Sequence, residues 1–118
     1  MKENAIKLKS FEFALRIVKL YQYLVEQKKE FVLSKQLLRS GTAIGAMIRE
    51  SEHAESKSDF IHKLSIALKE ANESEYWIEL LYKSEFIEEK SFQSIQTDVE
   101  ELLKLLTAII KTSKFNKG

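Results

Sequence analysis

The chain has 118 residues, 44% of them apolar and 31% charged, with a net charge of +1, no cysteine and no proline. A chain of this length forms one domain and buries roughly two thirds of the surface its unfolded form exposes, so it requires no covalent or metal staple. Lack of cysteine excludes disulfides and thiolate metal sites and fits a cytoplasmic protein, and the near-neutral charge excludes a strong general attraction to nucleic acid.

The opening residues MKENAIKLKS hold no apolar run of the signal-peptide kind. A first helix is expected over about 10–27, where Ala14, Ile17, Val18, Tyr21, Leu24 and Val25 recur at helical spacing. A second is expected over 34–55, with Ser34 as its N-cap and Leu33 and Leu38 in staple positions. Its buried face reads Leu37, Leu38, Gly41, Ile44, Gly45 and Ile48. Gly41 and Gly45 each cost about 1 kcal/mol against alanine in a helix, so their spacing predicts a close approach of another backbone. The segment GTAIGAMI, closed by Arg39 and Arg49, is far shorter than the roughly 20 apolar residues of a membrane span, and no membrane association is expected.

The third helix is expected over 58–83, capped by Ser58, with Phe60, Leu64, Ala67, Leu68, Ala71, Ser74, Ile78 and Leu81 facing inward. The fourth spans 89–113, where Phe92, Ile95, Val99, Leu102, Leu106 and Ile109 alternate at three and four, and Ile87 staples to Phe92. Four amphipathic helices on short loops define an all-α fold, an antiparallel up-down-up-down four-helix bundle in a single domain over 1–118.

Helices 2 and 3 carry a second stripe. Projection at 100° per residue places Ala43, Met47, Glu50 and Ala54 opposite the core face of helix 2, and Asp59, Lys63, Ile66, Glu70, Glu73 and Trp77 on a flank of helix 3. One bundle covers one face of each helix, so self-association through Ala43, Met47, Glu50, Ala54, Ile66, Glu70, Glu73 and Trp77 is expected. Glu70 and Glu73 repel each other at a spacing of three, so a salt bridge or hydrogen bond from a partner helix is expected rather than acid/base work, and an arginine or lysine from helix 1 or 2 could supply it.

No residue set defines a reaction. Glu50-Ser-Glu-His53 has the E-x-x-H spacing of dinuclear metal sites in bundles, with a weaker echo in Asp59-Phe-Ile-His62, but the helical phase points Glu50 and His62 away from the core. Hydrolase, phosphate-loop and dinucleotide motifs are absent from the sequence, so no catalytic residue, cofactor or metal is expected. Charge is uneven along the chain: residues 1–50 hold 10 Lys and Arg against 5 acids, and residues 51–118 hold 9 against 13. Lys7, Lys9, Arg16, Lys19, Lys28 and Lys29, with Phe11 and Tyr23 among them, are the candidate contacts to RNA or DNA.

The strings FVLSKQLL, RSGTAIGAMIRE, DFIHKL and IALKEANESEYW closely resemble a bacterial four-helix-bundle family often encoded in intervening sequences of 23S rRNA genes. Arg39, Ser40, Gly41, Thr42, Ile44, Gly45, Ala46, Ile48 and Glu50 match its middle motif. Ala43 stands for the usual serine and Met47 for the usual asparagine. Asp59, Phe60, Lys63, Leu64, Ala67, Lys69, Glu70, Ala71, Glu73, Tyr76 and Trp77 match its later motif. The resemblance implies a ring-shaped homopentamer without known enzymatic activity. It also points to a related accessory protein of diversity-generating retroelements, which works with a reverse transcriptase and nucleic acid. RNA or a nucleic-acid-processing protein is therefore the partner expected besides the chain itself.

Overall fold

Four helices, α1 (Lys2–Glu26), α2 (Leu33–Ser51), α3 (Lys57–Lys83) and α4 (Glu89–Phe115), follow one another through the residues that the computed structural model describes. These are 2–115 for the backbone and 5–115 for side chains; residues 1 and 116–118 of the expected 1–118 domain lie outside the described residues. Short connections make successive helices antiparallel, and α1 closes against α4 to complete an up-down-up-down bundle of 50 × 22 × 19 Å.

The inward faces of α3 and α4 follow their sequence periodicity. Leu64, Ala67, Ala71, Ser74, Ile78 and Leu81 are buried on α3, and Ile95, Val99, Leu102, Leu106, Ile109 and Ile110 on α4. Leu37, Ser40, Gly41, Ile44 and Ile48 do the same on α2, while Leu38 and Gly45 lie at the edge of its buried face. The α1 face differs from expectation. Its buried residues are Ile6, Ser10, Phe13, Ile17 and Leu24, whereas Val18 is exposed, and the helix begins at Lys2 rather than near Ser10. The reason is a second apolar line, Leu8, Phe11, Leu15 and Val18, on the opposite side of the same helix. Periodicity alone averages the two faces and points between them.

The helix ends correct three more expectations. Ser34 is not the N-cap of α2; Val32 holds that position without a side-chain cap. The cap is supplied from upstream by Glu30, whose carboxylate accepts the backbone N–H groups of Val32 (3.0 Å), Leu33 (2.9 Å) and Ser34 (2.6 Å). The Ser34 hydroxyl donates to the Glu30 carbonyl at 2.7 Å. Ser56, not Ser58, caps α3: it accepts from the Asp59 N–H at 3.0 Å, while the Asp59 carboxylate accepts from the Glu55 N–H at 3.1 Å. That reciprocal pair is a capping box displaced by one residue. Helix α2 ends at Ser51, so His53, Ala54 and Glu55 belong to the following turn and Ala54 cannot extend a helical stripe.

Glu30 is buried, and burial pushes its carboxyl up, yet the backbone N–H groups of Leu33, Ser34 and Val32 outweigh burial and hold it below its ordinary value of 4.5. A carboxyl depressed in the folded chain contributes stability that is complete above its unfolded value and is lost as pH falls through the folded one. Glu30→Gln is expected to cost about 1 to 2 kcal/mol at pH 7. The gap should narrow in denaturant melts as pH drops below the ordinary carboxylate range, and a gap independent of pH would remove the charged cap.

Candidate functional site

Seven of the family-motif residues, Arg39, Ser40, Glu50, Lys63, Glu70, Glu73 and Trp77, lie along the seam where α2 runs beside α3. Arg39, on the outer edge of α2, reaches across to both carboxylates of α3: its guanidinium lies 3.5 Å from Glu70 Oε1 and pairs directly with Glu73 Oε2. The Trp77 indole N–H donates to that same Glu73 oxygen at 3.1 Å. At the next residue of each helix, on the inward side, the buried Ser40 and Ser74 hydroxyls meet at 2.9 Å, with Ser74 also donating to the Glu70 carbonyl at 2.8 Å. The repulsion between Glu70 and Glu73 is thus relieved by an arginine of helix 2 of the same chain.

This seam is polar but not fully satisfied. Glu70 Oε1 is buried without a hydrogen-bond partner, and Arg39 at 3.5 Å supplies charge rather than a hydrogen bond. Farther along, Lys63 pairs with Glu50 at 3.4 Å, and Met47, Trp77 and Phe60 pack partly against the core. Ala43 and Ile66 are half-buried at the same edge. Most motif residues therefore have a place within one bundle. Gly41 lies under Ile17, Gly45 faces the Ser10 backbone, Ile44 is in the core, the Thr42 hydroxyl donates to the Leu38 carbonyl at 2.7 Å, and Asp59 caps α3. Lys69 and Tyr76 are exposed, the latter set edge-on to Trp77 at 5.0 Å.

The candidate nucleic-acid stripe divides in two. Lys7 pairs with Glu52 (3.2 Å), Lys9 with Glu101 (3.2 Å) and Arg16 with Asp98 (2.6 Å), which ties α1 to the C-cap of α2 and to α4 and neutralises three of the six cations. Lys19, Lys28 and Lys29 have no ion pair among the described residues. Glu50 and His53 do not form a metal centre: among the described residues no group of three His, Asp or Glu side chains is placed to hold an ion, and His53 has left the helix. A groove lined by Lys28, Tyr82, Lys83, Glu85, Phe86, Ile87 and Glu88 is open to solvent and mixes two cations with two carboxylates.

One feature escapes the sequence reading. Leu8, Phe11, Leu15 and Val18 are 59%, 46%, 50% and 38% exposed and form a continuous apolar line along the outside of α1. Their spacing of three, four and three is the signal that could have identified it. The Arg49 guanidinium of α2 lies 5.0 Å above the Phe11 ring, at the edge of this line.

The fold and the seam define a small helical-bundle protein in which some signature residues tie α2 to α3 and two glycines admit α1 against α2. A family profile described as 23S rRNA-intervening sequence protein matches residues 2–108, and the chain belongs to that family. It is similar to a crystal structure of a protein with unknown function from the S23 ribosomal protein family from Bacteroides thetaiotaomicron VPI-5482. The two share 61% identity over 94% of this chain and 99% of that one, with a TM-score of 0.93. No curated protein matches the chain. Among the described residues no helix is long and apolar enough to cross a membrane.

Proposed function

We propose that this protein is a non-enzymatic, cytoplasmic scaffold or adaptor that works as a closed homo-oligomer, a pentameric ring, for RNA or a nucleic-acid-processing partner. The observation that carries this reading is the α1 line of Leu8, Phe11, Leu15 and Val18, which lies outside a bundle whose core is already complete. Contiguous apolar surface of this kind on a folded chain marks an interaction face. Pairing of Lys7, Lys9 and Arg16 within the chain supports a protein interface on α1 over a phosphate-binding one. Sedimentation at micromolar concentration should give a species of five chains and no monomer near 13.7 kDa; a dominant monomer would overturn the reading.

Lys19, Lys28 and Lys29 favour a second reading, direct RNA or DNA binding, in which a ring multiplies a weak site through several copies. Direct phosphate contacts lose affinity log-linearly with salt. Titration of a labelled RNA between 50 and 200 mM salt separates the two, since a scaffold without phosphate contacts has no such binding to lose.

A further inference from the structure

We propose that the turn between α1 and α2 is a peripheral anchor for an anionic bilayer, with Phe31 and Val32 entering its acyl boundary and Lys28, Lys29 and Lys35 lying among its headgroups. Phe31 and Val32 are 56% and 69% exposed, adjacent in the chain, and sit at one end of the bundle rather than on a helix face. The core at this end is complete without them, since Leu24, Leu37 and Leu81 are fully buried. The one acid of the turn is withdrawn: Glu30 is buried, and its carboxylate accepts from the N–H groups of Val32, Leu33 and Ser34. That bond set takes a negative charge off the tip and pins the backbone around the apolar pair. The three lysines are exposed and have no ion pair among the described residues.

The chemistry of the tip selects this occupant. Glu30 already fills the amides that open α2, which leaves no helix-terminus site for a discrete phosphate, so the attraction for anions comes from lysines spread around an apolar pair. Buried apolar area plus diffuse attraction to anionic lipid is how peripheral proteins hold a membrane. Two neighbouring side chains on a turn offer too little area for a protein interface of standard size. An RNA base would stack on Phe31, but Val32, the more exposed of the two, has no aromatic face to offer. Glu85 and Glu88 of the α3–α4 turn lie at the same end, in a groove edged by Lys28 that neither Phe31 nor Val32 lines, which confines the contact to the α1–α2 corner. The contact is with a surface and not a span, since no described helix is long and apolar enough to cross a bilayer. A closed ring sets every copy of one turn in a single plane, as a flat bilayer requires, and so converts one weak anchor into several. Only that gain in avidity rests on the ring proposed above.

Flotation of the full chain with vesicles tests the anchor. The parent should float with phosphatidylcholine vesicles that contain phosphatidylserine and stay behind with phosphatidylcholine alone. Phe31→Ser and Val32→Ser should each weaken binding by about tenfold, and Lys28→Gln and Lys35→Gln by about fivefold each. All four sites are exposed, so helical circular dichroism and sedimenting mass should match the parent. Phe115→Ser, which removes an aromatic group 77% exposed at the opposite end of the bundle, should leave vesicle binding unchanged. A parent that floats with neither vesicle, or equally with both, overturns the proposal, as does equal loss on Phe115→Ser. A labelled single-stranded RNA that binds the parent and is released by Phe31→Ser, with vesicles unbound, assigns the tip to nucleic acid and overturns the lipid contact. A parent that floats through Phe31 but sediments as a monomer supports the anchor and overturns the ring.

Discussion

Gly41→Ala is expected to destabilise the protein by about 1 to 3 kcal/mol, and Gly45→Ala to leave it unchanged or up to about 1 kcal/mol more stable. Both changes gain helix propensity, so the difference lies in what the added methyl meets. At Gly41 an added Cβ would stand 2.8 Å from Ile17 Cγ1 and 3.0 Å from Cγ2, and Ile17 is a fully buried, β-branched side chain with little freedom to move aside. At Gly45 the nearest atoms are the Ser10 carbonyl and hydroxyl oxygens at 3.5 Å, ordinary contact distance. Leucine at 41 should be far worse than alanine, and leucine at 45 should overpack the Ser10 side of α1. Chemical denaturation of the four variants checks the series. Equal stabilisation by both alanines would mean that α1 and α2 relax apart and that the close approach is not required.

The same pair of glycines shows how much of the architecture is written locally. Their cost signals a tight helix crossing, and the crossing is there, but only the structure separates the glycine that is sterically required from the one that is tolerated. Helices α3 and α4 are legible because each has one dominant apolar face. Helix α1 is not, since Phe13 and Ile17 on one side compete with Phe11 and Leu15 on the other, and no periodicity argument says which pair the bundle takes. The cap of α2 is hidden for a different reason. Glu30 lies in the turn after Lys29, whose positive φ of 54° bends the chain so that the carboxylate returns to N–H groups two to four residues later. Sequence spacing favours the serine nearest the helix start, and the longer acidic side chain takes the site.

The motif on α2 and α3 is legible as chemistry before it is legible as geometry. Two glutamates three apart repel each other, and Arg39 meets them both across the seam. These ion pairs are partly exposed, so they contribute little each, about 0 to 1 kcal/mol, and serve register more than stability. The buried contact of Ser40 with Ser74 links the two helices from below, and each hydroxyl also has a carbonyl of its own helix within reach. Alanine at 43 and methionine at 47 keep this edge apolar, and Met47 packs against the core beside Trp77's helix.

Trp77→Ala should lower the stability of the chain by about 2 to 4 kcal/mol, the range for loss of a large aromatic side chain from a packed site. The indole is half-buried, packs against the core, and donates its N–H to a carboxylate that also holds Arg39. Trp77→Phe keeps part of the packing and removes the donor together with one ring of the indole, so its cost should be about 1 to 2 kcal/mol. Glu73→Gln should cost no more than that, since Arg39 retains Glu70 and is itself half-exposed. The three variants must be melted at one protein concentration, because assembly raises apparent stability by mass action. The expected order is Trp77→Ala well below the other two. A Trp77→Ala protein with an unchanged denaturation midpoint but a smaller sedimenting mass would instead place the indole in a contact between copies, where loss of an aromatic anchor weakens association without unfolding the subunit.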